Sequence, residues 1–237
     1  MVPGRDTPMH GEDAGFPKTE WTRIINCSQS KTVMGELYDR YWRPLYCYLC
    51  YRGFDRDQAK DIVQGFFTDK VLGQQLVEKA DRSRGRFRSF LLIALKNYAI
   101  NLYKQERAPA YNQNRVGKTA SDEDPVRAFN RAWAEQVLQD VLAELEQECL
   151  QKGKVQYWQV FHRWLLDPPL EKDQRRLDRL CDKIGIANPA QAHNMLTNVK
   201  RRFRAILRRK LRLFVEDESA IDNEIRDFLE AFSDSTA

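Results

Sequence analysis

The sequence predicts an all-α protein with two helical domains joined by a flexible linker. Apolar residues recur at helical spacing over most of the chain, and no alternating strand pattern of useful length is present. The stretch "RAPAYNQNRVGKTASDEDPV" has no sustained period and is rich in residues that interrupt helices. The predicted divisions are a disordered terminus at 1–18, a first domain at 19–107, a linker at 108–126, a second domain at 127–215 and an acidic helix or tail at 216–237.

The composition is that of a soluble globular protein, with 42% apolar and 31% charged residues. No run of apolar residues is long enough to cross a bilayer, and the first twenty residues lack the apolar core of a signal peptide. We therefore expect a cytoplasmic protein without membrane insertion. The 5 cysteines are an odd, scattered set, so reduced thiols are expected.

Charge is distributed unevenly near the C-terminus. Between Lys183 and Val215 there are nine Lys or Arg and no acidic residue, whereas Glu216 to Ala237 holds eight acidic residues against Arg226 alone. This asymmetry favours a polyanion-binding element followed by an acidic segment. The alternative is a solvated helix face beside a solvated tail.

Two helices open the first domain and are joined by the turn "RGFDRDQ", in which Asp55 is a candidate N-cap of the second helix. A third helix follows in "RGRFRSFLLIALKNYAINLYKQER", residues 84–107. Phe87, Leu91 and Leu95 lie on its apolar face, and the opposite face is polar and basic. Arginines beside an aromatic ring suit single-stranded nucleic acid. A solvated face on an ordinary bundle helix is an equally good interpretation of composition alone.

The second domain contains a long helix at about 126–152, a helix in "VQYWQVFHRWLL" and then a pattern typical of a helix-turn-helix. A short helix precedes Gly185, which permits a tight turn, and Pro189 lies where a second helix begins. Early residues of that second helix would reach base edges, and later basic residues would meet phosphates. A plain helical hairpin with a cationic end is the alternative. The candidate contacts are Gln191, His193, Asn194, Thr197 and Asn198 for bases, and Lys200, Arg201, Arg202 and Arg204 for phosphates.

Signals for catalysis are poor. Cys47 and Cys50 form a lone C-x-x-C inside an aromatic helix, with no second Cys or His pair at metal spacing. His10, His162 and His193 are isolated, and no nucleophile motif or phosphate-binding Gly loop is present. We therefore predict no enzyme activity, no metal and no cofactor.

Taken together, these segments resemble bacterial sigma factors of the extracytoplasmic-function (ECF) group, closest to the ECF-like branch of planctomycetes. The resemblance spans roughly residues 33–232: "LYDRYWRPLYCYLCYRGFDRDQAKDIVQGFFTDKVL" and the third helix are similar to sigma region 2, and "LDRLCDKIGIANPAQAHNMLTNVKRRFRAIL" is similar to region 4. It implies a factor that binds core RNA polymerase and directs promoter-specific transcription initiation.

The resemblance also implies roles for individual residues. The polymerase contacts would be made on the β′ clamp helices by Asp61, Gln64 and Phe67. The factor would also contact the β subunit of the polymerase. Gly65 stands where the family commonly has Glu, and this predicts an altered or weakened contact. The melted −10 strand would be held by Arg82, Arg84, Arg86, Phe87, Arg88, Lys96, Asn97, Asn101 and Lys104, and the −35 duplex by the helix-turn-helix.

Regulation is also implied by the resemblance, because family members are commonly sequestered by anti-sigma proteins. The alternative function is a sigma-like interaction protein that is held by, or signals to, an anti-sigma or CRISPR-associated partner. The acidic C-terminal helix, with Ile221, Ile225 and Phe228 on one face, either folds near the basic helix of residues 200–212 or completes the core of the second domain.

Overall fold

The computed structural model describes residues 31–72, 76, 87–105, 124–166, 173–212 and 218–233. Over these ranges all regular structure is helical, which confirms the all-α prediction. The helices are α1 (Lys31–Tyr51), α2 (Arg56–Phe66), α3 (Phe87–Gln105), α4 (Pro125–Gln151), α5 (Val155–Leu166), α6 (Asp173–Ile184), α7 (Pro189–Arg212) and α8 (Glu218–Ser233), and a π-helical segment (Phe67–Leu72) continues α2. The predicted disordered terminus and most of the predicted linker lie outside the described residues.

The start of α2 is set by a capping box. The Asp55 carboxylate accepts hydrogen bonds from the backbone N–H groups of Asp57 and Gln58 at 3.0 and 2.8 Å, and the Gln58 side chain accepts from the Asp55 N–H at 3.4 Å. These contacts satisfy amide groups that have no partner within the helix. The predicted N-cap is confirmed.

The centre of the fold is the packing of α1 along α4, which is the most extensive contact between any two helices in the described residues. Leu45 of α1 and Val141 and Leu145 of α4 are fully enclosed. Burying an apolar side chain of this size contributes roughly 1.5–3 kcal/mol to folding. α3 packs on α2, and α5, α6 and α8 pack against α7 or α4.

Polar contacts also connect α1 with the second half of the chain. The Arg40 guanidinium, 6% exposed, donates a hydrogen bond of 3.0 Å to the backbone carbonyl of Lys210 in the last turn of α7. Arg43 forms an ion pair of 2.9 Å with Glu135 on α4. A cation at a helix C-terminus satisfies carbonyl groups that have no partner within the helix. Thus α1 stabilises the end of α7.

The buried side chains of both predicted domains form one continuous cluster in the described residues. The arrangement of two separate helical domains on a flexible linker therefore stays a prediction. No helix in the described ranges is long and apolar enough to cross a membrane.

Candidate nucleic-acid interface

The turn between α6 and α7 is built by local backbone chemistry. Gly185 has a φ of +75°, and the N–H groups of Gly185 and Ile186 both donate to the carbonyl of Cys181, at 2.9 and 3.0 Å. This left-handed ending of a helix favours glycine, because other residues are strained there. Ile186 then inserts into the core at 7% exposure and fixes the exit direction of the chain. The predicted role of Gly185 is confirmed.

Asn188 caps the start of α7. Its side-chain oxygen accepts from the N–H of Ala190 at 2.9 Å, and its backbone carbonyl accepts from Gln191 at 3.0 Å. Pro189 occupies the first helical position, as predicted, where its missing N–H and fixed φ are tolerated. The Asn-Pro pair in the sequence is the signal for this cap, which was not among the predicted features.

α7 has one buried face and one exposed face. Ala192, Leu196 and Val199 are buried against the neighbouring helices. The opposite face is exposed and contains Gln191, His193, Asn194, Thr197, Asn198, Arg201 and Arg204. The structure therefore brings nearly all the residues predicted to contact the −35 duplex onto one surface, which we call the α7 surface.

Lys200 and Arg202 lie at the edges of the α7 surface and contact other helices. The Lys200 ammonium lies 4.5 Å from the centre of the Trp164 ring on α5, a cation–π contact. The Arg202 guanidinium forms two hydrogen bonds with the Glu148 carboxylate, one of them at 2.6 Å. Because of this pairing the pKa of Glu148 is lowered and that of Arg202 is raised. Arg202 was predicted to contact a DNA phosphate, whereas in this structure it pairs with the Glu148 carboxylate.

The basic residues of α7 divide into two groups. Arg208 pairs with Asp222 at 3.2 Å, and Arg209 and Lys210 both pair with Glu144. On the α7 surface, by contrast, Arg201 donates to the Asn198 amide oxygen at 3.2 Å, and Asn198 donates to the Asn194 carbonyl at 3.0 Å. Within the described ranges no carboxylate pairs with Arg201 or Arg204. Positive charge therefore remains uncompensated where the sequence predicts DNA.

The predicted −10 surface on α3 is only partly at the exterior. Lys96, Asn97 and Asn101 are exposed along one face of the helix. Phe87, by contrast, is 2% exposed and packs edge-on against Tyr41, with ring centres 5.6 Å apart. The prediction that Phe87 lies on the core face of the helix is confirmed, whereas its predicted contact with the melted strand stays a prediction. Arg82, Arg84 and Arg86 lie outside the described residues, as does the side chain of Lys104.

Arg88 is the clearest departure from the predicted −10 surface. It is 5% exposed, and its guanidinium forms ion pairs with Glu224 and Asp227 of α8. Its central carbon also lies 4.3 Å from the centre of the Trp133 ring on α4. A buried cation needs such partners, because removing charge from water costs several kcal/mol. Arg88 thus joins α3 to α4 and α8, and it is not available to DNA here.

The acidic helix α8 combines both roles that the sequence left open. Ile221 and Phe228 are buried, and the Phe228 ring packs edge-on against Trp133 at 6.5 Å. Asp222 reaches the basic helix α7 through Arg208. Its two best-buried carboxylates, however, neutralise Arg88, a partner that the sequence did not suggest.

The residues predicted to contact the polymerase are likewise divided. Asp61 and Gln64 are exposed on α2, whereas Phe67 is 4% exposed and packs against Tyr38, with ring centres 5.0 Å apart. The Phe67 ring thus belongs to the core, and its predicted contact with the polymerase stays a prediction.

Gly65 has a packing reason that the sequence did not reveal. A Cβ atom added there would lie 2.6 Å from the Tyr98 hydroxyl oxygen. That hydroxyl donates a hydrogen bond of 2.8 Å to the Asp69 carboxylate. Burial and this carboxylate raise the pKa of Tyr98 to about 12. The absence of a side chain at position 65 lets α3 approach α2 closely.

The described residues contain no group of three or more His, Cys, Asp or Glu that could hold a metal ion. Cys47 and Cys50 are half-buried, and neither forms a disulfide bond. Comparison with protein-family models, with curated proteins and with solved structures finds no match to this chain.

Proposed function

We propose that this chain is a sigma factor of the ECF type, which binds core RNA polymerase and directs transcription initiation from promoter DNA. The observation that carries the proposal is the α7 surface. It presents amide, imidazole and hydroxyl groups followed by arginines, on the second helix of a helix-turn-helix and opposite the buried face.

The chemistry of the α7 surface suits duplex DNA. Asn and Gln amides match the donor and acceptor pattern of adenine in the major groove, and Arg matches guanine or phosphate. The chain of hydrogen bonds from Arg201 through Asn198 to the α7 backbone holds these groups in place before binding. A preorganised surface loses less side-chain entropy on binding. In the proposal these residues read the −35 element.

The remaining contacts of the proposal use exposed residues of the first half of the chain. Lys96, Asn97 and Asn101 on α3 face the melted −10 strand, and Asp61 and Gln64 on α2 face the β′ clamp helices. The protein performs no bond chemistry and needs no cofactor. Its proposed partners are the polymerase, promoter DNA and an inhibitory protein of the anti-sigma class.

A second candidate function is a sigma-like interaction protein that is held by a regulatory partner, either anti-sigma or CRISPR-associated, and does not open promoters. The burial of Phe87 and Arg88 favours it. Both side chains were predicted to contact the opened strand. In this structure Phe87 packs in the core and Arg88 pairs with carboxylates of α8.

Run-off transcription with purified core polymerase on a promoter library tests the proposal. The full-length chain should produce defined start sites, and Arg201→Ala should abolish them. Arg209→Ala is the matched control, because it removes the same charge from the same helix at a residue that is paired with Glu144. If the full-length chain produces no start site, the interaction-protein function replaces the sigma assignment.

A further inference from the structure

An open cleft of about 520 Å³ lies beside the α7 surface. Its walls are the last turn of α4, the turn between α4 and α5, and the middle of α7. Asn198 and Arg201 line it and also belong to the α7 surface, so the two features are continuous. None of the predicted DNA contacts came from α4 or from the turn that follows it.

The cleft is strongly cationic. Lys152 and Lys154 enter it from the turn, and Arg201 and Arg202 enter it from α7. Glu148 is the only carboxylate among its described lining residues. Four cationic side chains and one carboxylate therefore line the cleft, which leaves an excess of positive charge.

Glu148 organises the cleft without neutralising it. Its carboxylate accepts hydrogen bonds from Arg202 at 2.6 Å and from Lys152 at 3.4 Å, which holds both cations at the wall. The Lys154 ammonium lies 5.3 Å from the centre of the Tyr157 ring, in the first turn of α5. Both lysines are exposed, so an anion can reach them without unfolding the site.

We propose that the turn from Lys152 to Lys154 is a second contact to the duplex backbone, which binds phosphates of DNA lying on the α7 surface. This inference rests on the proposed function, in that it requires α7 to bind duplex DNA. Phosphodiesters supply closely spaced charges along a continuous edge, and contacts to them fix the position of a protein on DNA. The cleft shares Asn198 and Arg201 with the α7 surface. When the α7 surface binds the major groove, the phosphate backbone beside that groove is therefore the anion nearest to the cleft.

The test measures affinity of the full-length chain for a duplex at several salt concentrations by fluorescence anisotropy. Each phosphate contact contributes about 0.9 to the slope of log K against log salt. The double variant Lys152→Gln/Lys154→Gln should therefore reduce this slope by roughly 1 to 2. The matched control is Arg56→Gln/Lys60→Gln, which removes two exposed charges from α2 and should leave the slope unchanged.

Three results would overturn the inference and leave the proposed function intact. The first is a slope that falls equally in both double variants, since that is a general charge effect. The second is unchanged duplex binding in the turn variant together with loss of binding to polyglutamate, which would assign the cleft to an acidic protein. The third is loss of duplex binding in Arg201→Ala without any effect of the turn variant. If the wild-type chain binds no duplex, both the inference and the proposed function fail.

Discussion

The substitution Gly65→Ala should destabilise this protein even though it replaces glycine by the best helix former. An alanine methyl group would lie 2.6 Å from the Tyr98 hydroxyl oxygen, about 0.8 Å closer than ordinary contact allows. The ring cannot move away freely, because it packs edge-on against Phe66 at 5.8 Å and its hydroxyl is held by Asp69. The clash therefore falls on a rigid group.

The expected magnitude follows from three contributions. Overpacking of a filled site costs about 1–3 kcal/mol, and a weakened hydrogen bond to a charged carboxylate costs about 1 kcal/mol more. Helix propensity returns about 1 kcal/mol. Gly65→Ala should thus lower the free energy of unfolding by about 1–3 kcal/mol. In a Tyr98→Phe background the nearest remaining ring atom lies at 3.6 Å, so the same substitution should stabilise by about 0.5–1 kcal/mol.

Urea unfolding of the wild type, both single variants and the double variant measures the coupling between positions 65 and 98. We expect a coupling free energy of about 1.5–4 kcal/mol and a change of sign for Gly65→Ala between the two backgrounds. A coupling near zero, with alanine equally stabilising in both backgrounds, would refute the packing explanation. In that case Gly65 would be explained better by an altered polymerase contact.

Arg88→Ala should destabilise the protein by about 3–5 kcal/mol in urea unfolding, because it removes the guanidinium that pairs with the buried Glu224 carboxylate. Wild-type stability together with loss of single-strand binding would instead make Arg88 a DNA contact. The free energy of unfolding should fall as pH rises from about 10 to about 12, because the unfolded chain releases the Tyr98 proton before the folded chain does. In urea denaturation at several pH values, Tyr98→Phe should reduce this dependence on pH, and an unchanged dependence would contradict the raised pKa of Tyr98. Asn188→Ala should cost about 0.5–2 kcal/mol through loss of the α7 cap, whereas Asn188→Asp should retain most of the stability in thermal unfolding, and equal losses in both variants would argue against a capping role.

Local features of the fold were predictable from the sequence. The turn at Gly185, the start of α7 at Pro189 and the cap at Asp55 depend on residues within a few positions of one another. The spacing of apolar residues along α3 likewise predicted Leu91 and Leu95 as core. Such signals survive because backbone chemistry and helical periodicity act over one or two turns.

Contacts between distant helices were not predictable in the same way. In a sequence, an arginine on a helix indicates either a solvated side chain or a nucleic-acid contact. The burial of Arg88 is explained only by the position of α8, which supplies its two carboxylate partners. The close approach of Tyr98 to Gly65 likewise depends on how α3 packs on α2. In the candidate site, α7 was predictable as a surface, but Lys152 and Lys154 come from another helix end and carry no motif.

The pairing of Arg88 with α8 has a consequence for how the chain is made. Glu224 and Asp227 lie 136 and 139 residues after Arg88, so the ribosome adds the counterions of this buried cation long after the cation itself. The first half of the chain cannot complete its own packing during synthesis, because the cation stays unpaired until the C-terminal helix arrives. Contacts of such long range also slow folding. A chain interrupted before α8 should consequently remain a target for chaperones and proteases.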